Sequence, residues 1–124
     1  MIQISEAEAV VMEVLWGQHP LSAEEVIARL PGGNEWAEAT VKTLLNRLLN
    51  KGAISADKQG RRYLYSPLVQ RDAWLLEESS SLIERLFAGR VAPLVAHFSQ
   101  HQRLSRDDVA ELRKLLEDLD DDQR

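Results

Sequence analysis

Apolar residues recur at helical spacing over most of the chain, and one short stretch alternates instead. Ala7, Val11, Val14 and Leu15 share one helical face behind Ser5-Glu6-Ala7-Glu8. That tetrapeptide is a capping box: the Ser5 hydroxyl takes the Glu8 amide and the Glu8 carboxylate reaches back. Gly17 is the stop, and His19-Pro20 reads as a turn. A second box, Ser22-Ala23-Glu24-Glu25, precedes Val26, Ile27 and Leu30, a short helix halted at Pro31-Gly32-Gly33-Asn34. A third helix is predicted from about Ala37 to Lys51. Val41, Leu44, Leu45, Leu48 and Leu49 give it a full buried stripe, spaced i, i+3, i+4, i+7, i+8. Thr40, Lys42, Thr43, Asn46, Arg47 and Asn50 fall on the opposite face, and Gly52 ends the run.

The period then shortens. Residues 54–58 and 61–65 are two strand candidates around Gln59-Gly60, where glycine can supply positive φ, and Ser66-Pro67 closes the hairpin. Helical patterning returns at about Gln70, with Trp74, Leu75, Leu82, Ile83, Leu86 and Phe87 as anchors and Gly89 as the break. A shorter helix spans about Val91–His101, with Pro93 tolerated near its start. Ser105-Arg106-Asp107-Asp108 caps the last one, whose stripe is Val109, Leu112, Leu115, Leu116 and Leu119; the tail from Asp120 to Arg124 is expected to fray. The fold class is therefore mostly α with a small β-hairpin. Residues 1–68 read as a winged helix-turn-helix and 69–124 as a helical dimerisation domain, with Leu82, Ile83, Leu86, Phe87, Leu94, Phe98, Leu112, Leu115 and Leu116 as the mating surface.

Charge sharpens this division. The chain of 124 residues has a net charge of -5, which by itself speaks against a polyanionic partner. The charge is not evenly spread: residues 1–36 carry -5, 37–73 carry +4 and 74–124 carry -4. Between Thr40 and Tyr65, six bases face one acid, Asp57. A polar, basic helix face of this kind suits the DNA major groove. Thr40, Lys42, Thr43 and Asn46 are the candidate base readers: the Asn46 amide can pair with adenine, Lys42 can donate to guanine, and the threonines can meet a thymine methyl. Arg47, Lys51, Lys58, Arg61, Arg62 and Tyr63 are the candidate contacts to phosphate, the last four from the hairpin. So few bases bind weakly as a monomer, which makes a homodimer on an inverted repeat the expected form.

Other chemistries find little support. The chain has no cysteine, hence no disulfide, no thiolate metal cage and no thiol nucleophile. His97 and His101, at i, i+4, are half a zinc site, so no metal and no cofactor is expected. Ser79-Ser80-Ser81 has no partner base in the pattern, and there is no glycine-rich phosphate loop, so an enzyme is not expected. The N-terminus has no signal-peptide pattern and no apolar run reaches membrane-spanning length, which points to a cytoplasmic protein without membrane insertion. A winged-helix adaptor for protein partners is the competing reading; it accommodates the acidic flanks but not the all-positive charges between Thr40 and Lys51.

Several segments resemble the BlaI/MecI penicillinase-repressor family. Ala39-Thr40-Val41-Lys42-Thr43-Leu44-Leu45-Asn46-Arg47-Leu48 followed by Lys51-Gly52 looks like its recognition helix. Val14-Leu15-Trp16 with Ser22-Ala23-Glu24-Glu25-Val26 looks like its first two helices, and Arg62-Tyr63-Leu64-Tyr65-Ser66-Pro67 like its wing. Leu94-Val95-Ala96-His97-Phe98 and Glu111-Leu112-Arg113-Lys114-Leu115-Leu116 look like its C-terminal helices. The resemblance implies a homodimeric transcriptional repressor of β-lactam-resistance or cell-wall-stress genes, relieved when a sensor-linked protease cuts the C-terminal domain. The family's Asn-Phe cleavage pair corresponds to His97-Phe98, so Phe98 is kept and Asn is not, which leaves a signal other than a β-lactam open. The family's capping Ser is replaced by Ala37, at a cost of about 1 kcal/mol to the third helix. Its copper-responsive branch uses cysteines, which this chain lacks.

Overall fold

Both capping boxes form, and they place the first two helices. In the computed structural model, which describes residues 2–32 and 35–122, Ser5 Oγ accepts from Glu8 N at 3.1 Å and Ser22 Oγ from Glu25 N at 3.2 Å. The reciprocal bonds, Ser5 N to Glu8 Oε1 and Ser22 N to Glu25 Oε1, measure 2.9 and 3.0 Å. Helices α1 (Glu6–Gly17), α2 (Ala23–Ala28) and α3 (Glu38–Lys51) precede strands β1 (Ile54–Gln59) and β2 (Arg62–Pro67). Helices α4 (Arg71–Phe87), α5 (Val91–Gln100) and α6 (Arg106–Asp122) follow. The expected stop residues Gly33 and Asn34, and Gln123 and Arg124 of the tail, lie outside the described residues. The tail does not fray where expected, because α6 continues through Asp120 to Asp122.

The chain divides into two compact units, Met1–Leu75 and Leu76–Arg124. The core of the first is made by Val11, Met12 and Leu15 of α1, Val26 of α2, and Val41, Leu44, Leu45 and Leu48 of α3, with Leu21, Ala53 and Ile54. The α3 stripe is buried as the spacing predicts, except that Leu49 is only half-buried. On α1 the buried face is rotated from the expected one. Met12 and Glu8 are buried, while Ala7 and Val14 are partly exposed.

Gly52 closes α3 in the left-handed region at φ 77°, and Ala53 N returns to the Leu48 carbonyl at 2.9 Å. The chain thereby turns directly into β1. β1 and β2 pair antiparallel from Ile54 opposite Pro67 to Gln59 opposite Arg62. The loop is Gly60-Arg61, with Gly60 at φ 63°, a position that favours glycine at the start of a two-residue hairpin loop. The base of the hairpin is fixed to the segment between α1 and α2: Leu21 N donates to Tyr65 O at 3.1 Å, and Tyr65 N to Leu21 O at 2.7 Å.

The first unit extends through the first turn of α4. Trp16 Nε1 donates to the Val69 carbonyl at 2.8 Å, the Trp16 and Trp74 rings lie 5.3 Å apart, and Arg71 pairs with Glu13 at 3.1 Å. The second unit has a different character. Among its described residues no side chain of α5 or α6 is buried, and Leu86, Leu115, Leu116 and Leu119 are each more than half exposed. An apolar groove between α5 and α6 is lined by Leu94, Val95, Phe98, Leu104, Leu112 and Leu115, with Asp108 and Glu111 also on its walls.

Candidate nucleic-acid interface

The buried stripe of α3 dictates what its other face presents. With Val41, Leu44, Leu45 and Leu48 facing the core, Thr40, Lys42, Thr43, Asn46, Arg47 and Asn50 are all exposed. The register of the hairpin likewise leaves Asp57–Tyr63 exposed while Leu64 is buried. Lys42 and the wing residues Arg61, Arg62 and Tyr63 line one cleft, together with Ser22, Ala23, Glu24, Glu38 and Tyr65. Lys58 stands opposite Tyr63 in the hairpin, its ammonium 6.0 Å from the ring centroid, at the edge of cation–π range.

Several of these groups carry partners of their own. Lys42 Nζ is 2.9 Å from Glu38 Oε1, one turn back. The Glu38 hydrogen bond and then its charge raise the Lys42 pKa above the ordinary lysine value. Arg62 lies 3.7 Å from Glu25, whose carboxyl is held below the ordinary glutamate value by the Ser22 backbone and hydroxyl and, more weakly, by Arg62. These pairs are solvent-exposed and worth little, so both cations can exchange their carboxylate for a phosphate or a base edge. The Thr43 hydroxyl donates to the Ala39 carbonyl at 2.9 Å, which turns its methyl group into the available contact. Glu38 and Glu25 went unnoticed as partners of the basic face. The Glu38–Lys42 pair had a readable signal in its i, i+4 spacing; the Glu25–Arg62 pair had none.

Lys51, a candidate phosphate contact, is exposed at the end of α3 and has partners at the start of the chain. Its ammonium bonds the buried Glu8 carboxylate at 2.5 Å and the Gln3 carbonyl at 2.8 Å. Burial of Glu8 makes that cation necessary inside the domain.

In the second unit, Leu82, Leu86, Phe98, Leu115 and Leu116 are exposed, and Ile83, Phe87, Leu94 and Leu112 half-buried. His97 and Phe98 sit inside α5. The His97 and His101 rings are 4.5 Å apart, and no group of three or more metal-binding side chains exists among the described residues. No helix among them is long and apolar enough to cross a membrane.

Comparison with known proteins gives this arrangement its context. Residues 4–118 match the family model described as penicillinase repressor. The chain is 34% identical to the penicillinase repressor of Bacillus licheniformis, over 94% of this chain and 91% of that one. It is 32% identical to the methicillin resistance regulatory protein MecI of Mammaliicoccus sciuri, over 92% and 93%. Among solved structures it is similar to the DNA-binding domain of the repressor BlaI, with 38% identity and a TM-score of 0.52, covering 56% of this chain and 85% of that one. It is similar also to monomeric Bacillus licheniformis BlaI in complex with the blaP half-operator, with 38% identity and a TM-score of 0.50, covering 58% and 89%. MepR, a regulator of a Staphylococcus aureus efflux pump, shares the fold at 16% identity and a TM-score of 0.52, over 98% of this chain and 82% of that one. A core of three capped or glycine-stopped helices, a basic wing and a match over nearly the whole length thus agree: the chain belongs to the penicillinase repressor family.

Proposed function

We propose that this protein is a DNA-binding transcriptional repressor, not an enzyme, acting in the cytoplasm as a homodimer on an inverted-repeat operator. The observation that carries the reading is the exposed polar face of α3, whose Lys42 shares one cleft with the arginines of the wing. In this reading α3 enters the major groove. Thr40, Lys42, Thr43 and Asn46 meet base edges, and Arg47, Lys58, Arg61, Arg62 and Tyr63 hold the flanking backbone. The similarity to a repressor solved on its half-operator supports that placement.

The homodimer is supported by the second unit, whose leucine-rich helices bury no side chain by themselves. A second copy laid on the groove of Leu94, Phe98, Leu112 and Leu115 would supply the missing core. Regulation of penicillinase or methicillin-resistance genes follows the names of the relatives. Relief by a sensor-linked protease would require α5 to unwind, since the His97–Phe98 bond lies within that helix. The test is titration of the protein onto an inverted-repeat duplex, a single half-site and a random duplex, each at several salt concentrations. The reading expects a steep salt dependence of about 0.9 per phosphate contact and a preference for the repeat. A flat salt plot, or equal affinity for all three duplexes, would refute it. Leu115→Glu should turn the species seen by sedimentation into a monomer that still binds the half-site.

A further inference from the structure

The last turn of α3 ends on a contact that DNA recognition leaves unused. Lys51 Nζ lies 2.5 Å from Glu8 Oε1 and 2.8 Å from the Gln3 carbonyl oxygen. The Glu8 side chain is only 2% exposed, against 38% for Lys51. Glu8 cannot follow the lysine outward, because its Oε1 also accepts from Ser5 N at 2.9 Å and its own amide is bound by Ser5 Oγ at 3.1 Å. Its second oxygen, Oε2, is buried with no partner among the described residues. Burial acts to raise the Glu8 carboxyl. The Lys51 hydrogen bond and charge, with the Ser5 backbone and hydroxyl, outweigh it and hold the group below the ordinary glutamate value.

A buried carboxylate in this position depends on its cation, and drawing the lysine out to a phosphate would strand the charge. Arg47, one turn earlier on the same helix, is exposed and makes no ion pair among the described residues. The two bases therefore differ in kind. The opposite end of α3 has no comparable fastening, since its N-cap, Ala37, offers no side-chain bond. Among the described residues, the helix is held by its stripe and by this one polar side-chain tie at its C-terminal end.

We propose that Lys51 is a positioning residue: with Glu8 and the Gln3 carbonyl it clips the end of α3 to the beginning of the chain and fixes the angle at which Thr43, Asn46 and Arg47 meet the groove. This rests on the reading of α3 as the helix that enters DNA. The clip acts on specific binding, where the angle matters, and much less on binding to random sequence, where it does not.

The experiment compares Lys51→Met, Glu8→Gln and the double variant. The amide of Glu8→Gln keeps the capping box while removing the charge. Affinities are measured across salt on an inverted-repeat duplex recovered by selection from genomic fragments, and on a random duplex. Unfolding of the DNA-free proteins is measured in parallel. The clip predicts that Lys51→Met loses about 10-fold on the selected duplex with its salt slope unchanged, a coupling-sized effect. It predicts that Glu8→Gln also weakens binding although it frees a lysine, and that the double variant, which lacks the same tie, stays within about 3-fold of Lys51→Met instead of adding the two losses.

A phosphate clamp predicts the reverse. The salt slope would fall by about 0.9 in Lys51→Met and in the double variant, and affinity would hold or rise in Glu8→Gln. That pattern, or no loss in either single variant, overturns the proposal. If Lys51→Met does not fold, the sign of the Glu8→Gln effect decides. If the parent protein binds neither duplex, the DNA reading itself has failed. The positioning role falls with it, and non-additive effects of the two substitutions on unfolding would then mark the pair as a structural tie only.

Discussion

Replacing Ala37 by serine should stabilise the first unit, and the protein contains its own reference for the size of the effect. Three helices of that unit begin on extended N-cap residues: Ser5 at φ -71°, ψ 167°, Ser22 at φ -76°, ψ 167°, and Ala37 at φ -64°, ψ 154°. The third differs from the other two by no more than 13° in either angle, so a serine fits there without backbone adjustment. At Ser5 and Ser22 the hydroxyl takes the amide three residues on, at 3.1 and 3.2 Å. At Ala37 that amide belongs to Thr40, which instead makes a short-range bond of 3.0 Å to the Ala37 carbonyl. Residue 40 is threonine, not glutamate, so the variant gains one bond and not a full box. The expected gain is about 1 kcal/mol. For a unit of this size that corresponds to a rise of roughly 4–8 °C in melting temperature. Tryptophan fluorescence is the right probe, because all three tryptophans, Trp16, Trp36 and Trp74, lie within Met1–Leu75. Ser22→Ala should move the same transition the other way by a similar amount, since it removes the hydroxyl bond of a box and leaves the backbone bond from Ser22 N to Glu25 in place. An unchanged or lowered midpoint for Ala37→Ser, alongside a lowered one for Ser22→Ala, would refute the argument that the cap at residue 37 is an unfilled position.

Three further outcomes follow from the same packing and charges. Leu45, fully buried at the centre of the α3 stripe, should cost about 2–5 kcal/mol when cut to alanine, read from the urea midpoint of the same fluorescence signal. Arg61→Ala, at the tip of the wing, should lower the salt slope of binding by about 0.9 on selected and random duplexes alike, whereas Asn46→Ala should relax base preference without changing the slope. Glu8 is held below the ordinary glutamate pKa, so its stabilising contribution is complete above about pH 4.3 and is lost as the pH falls through its lowered value. Glu8→Gln should therefore flatten the acid limb of the stability curve, seen as a smaller shift of the thermal midpoint between neutral and acid buffer.

Much of the first unit was legible because its signals are local. A capping box needs only residues three apart, and the α3 stripe announces both faces of the helix at once. What stayed hidden depends on distance along the chain. Glu8 reads as an ordinary capping glutamate. Nothing within ten residues says that it is buried, because its cation, Lys51, comes 43 residues later. The same separation made Lys51 look like a free base. Of the predicted α1 face of Ala7, Val11, Val14 and Leu15, Val11 and Leu15 are buried, but Met12 and Glu8 take the other two buried positions, since the packing of α2, α3 and the hairpin around α1 sets its rotation. The extension of the first unit to Leu75 rests on Trp16 reaching the Val69 carbonyl, 53 residues on. In the second unit the leucine stripe fixed the helices, and the expected fraying at Asp120 gave way to a helix already propagated through Leu119.

The bridge between Leu21 and Tyr65 bears on how the wing can change over time. Two backbone hydrogen bonds fasten its base to the turn before α2, whereas Asp57–Tyr63 makes no backbone bond to the body of the domain among the described residues and is exposed throughout. The freedom lost on meeting a partner is thus confined to a few tip residues, and the anchored base is already ordered. Substitutions or small insertions at the tip leave the core untouched, so the strength of the backbone contacts can change there while the frame is kept. Backbone bonds at the base make this division independent of side-chain chemistry at Leu21 and Tyr65, and the tip is accordingly the place to vary when a repressor with altered overall affinity is wanted.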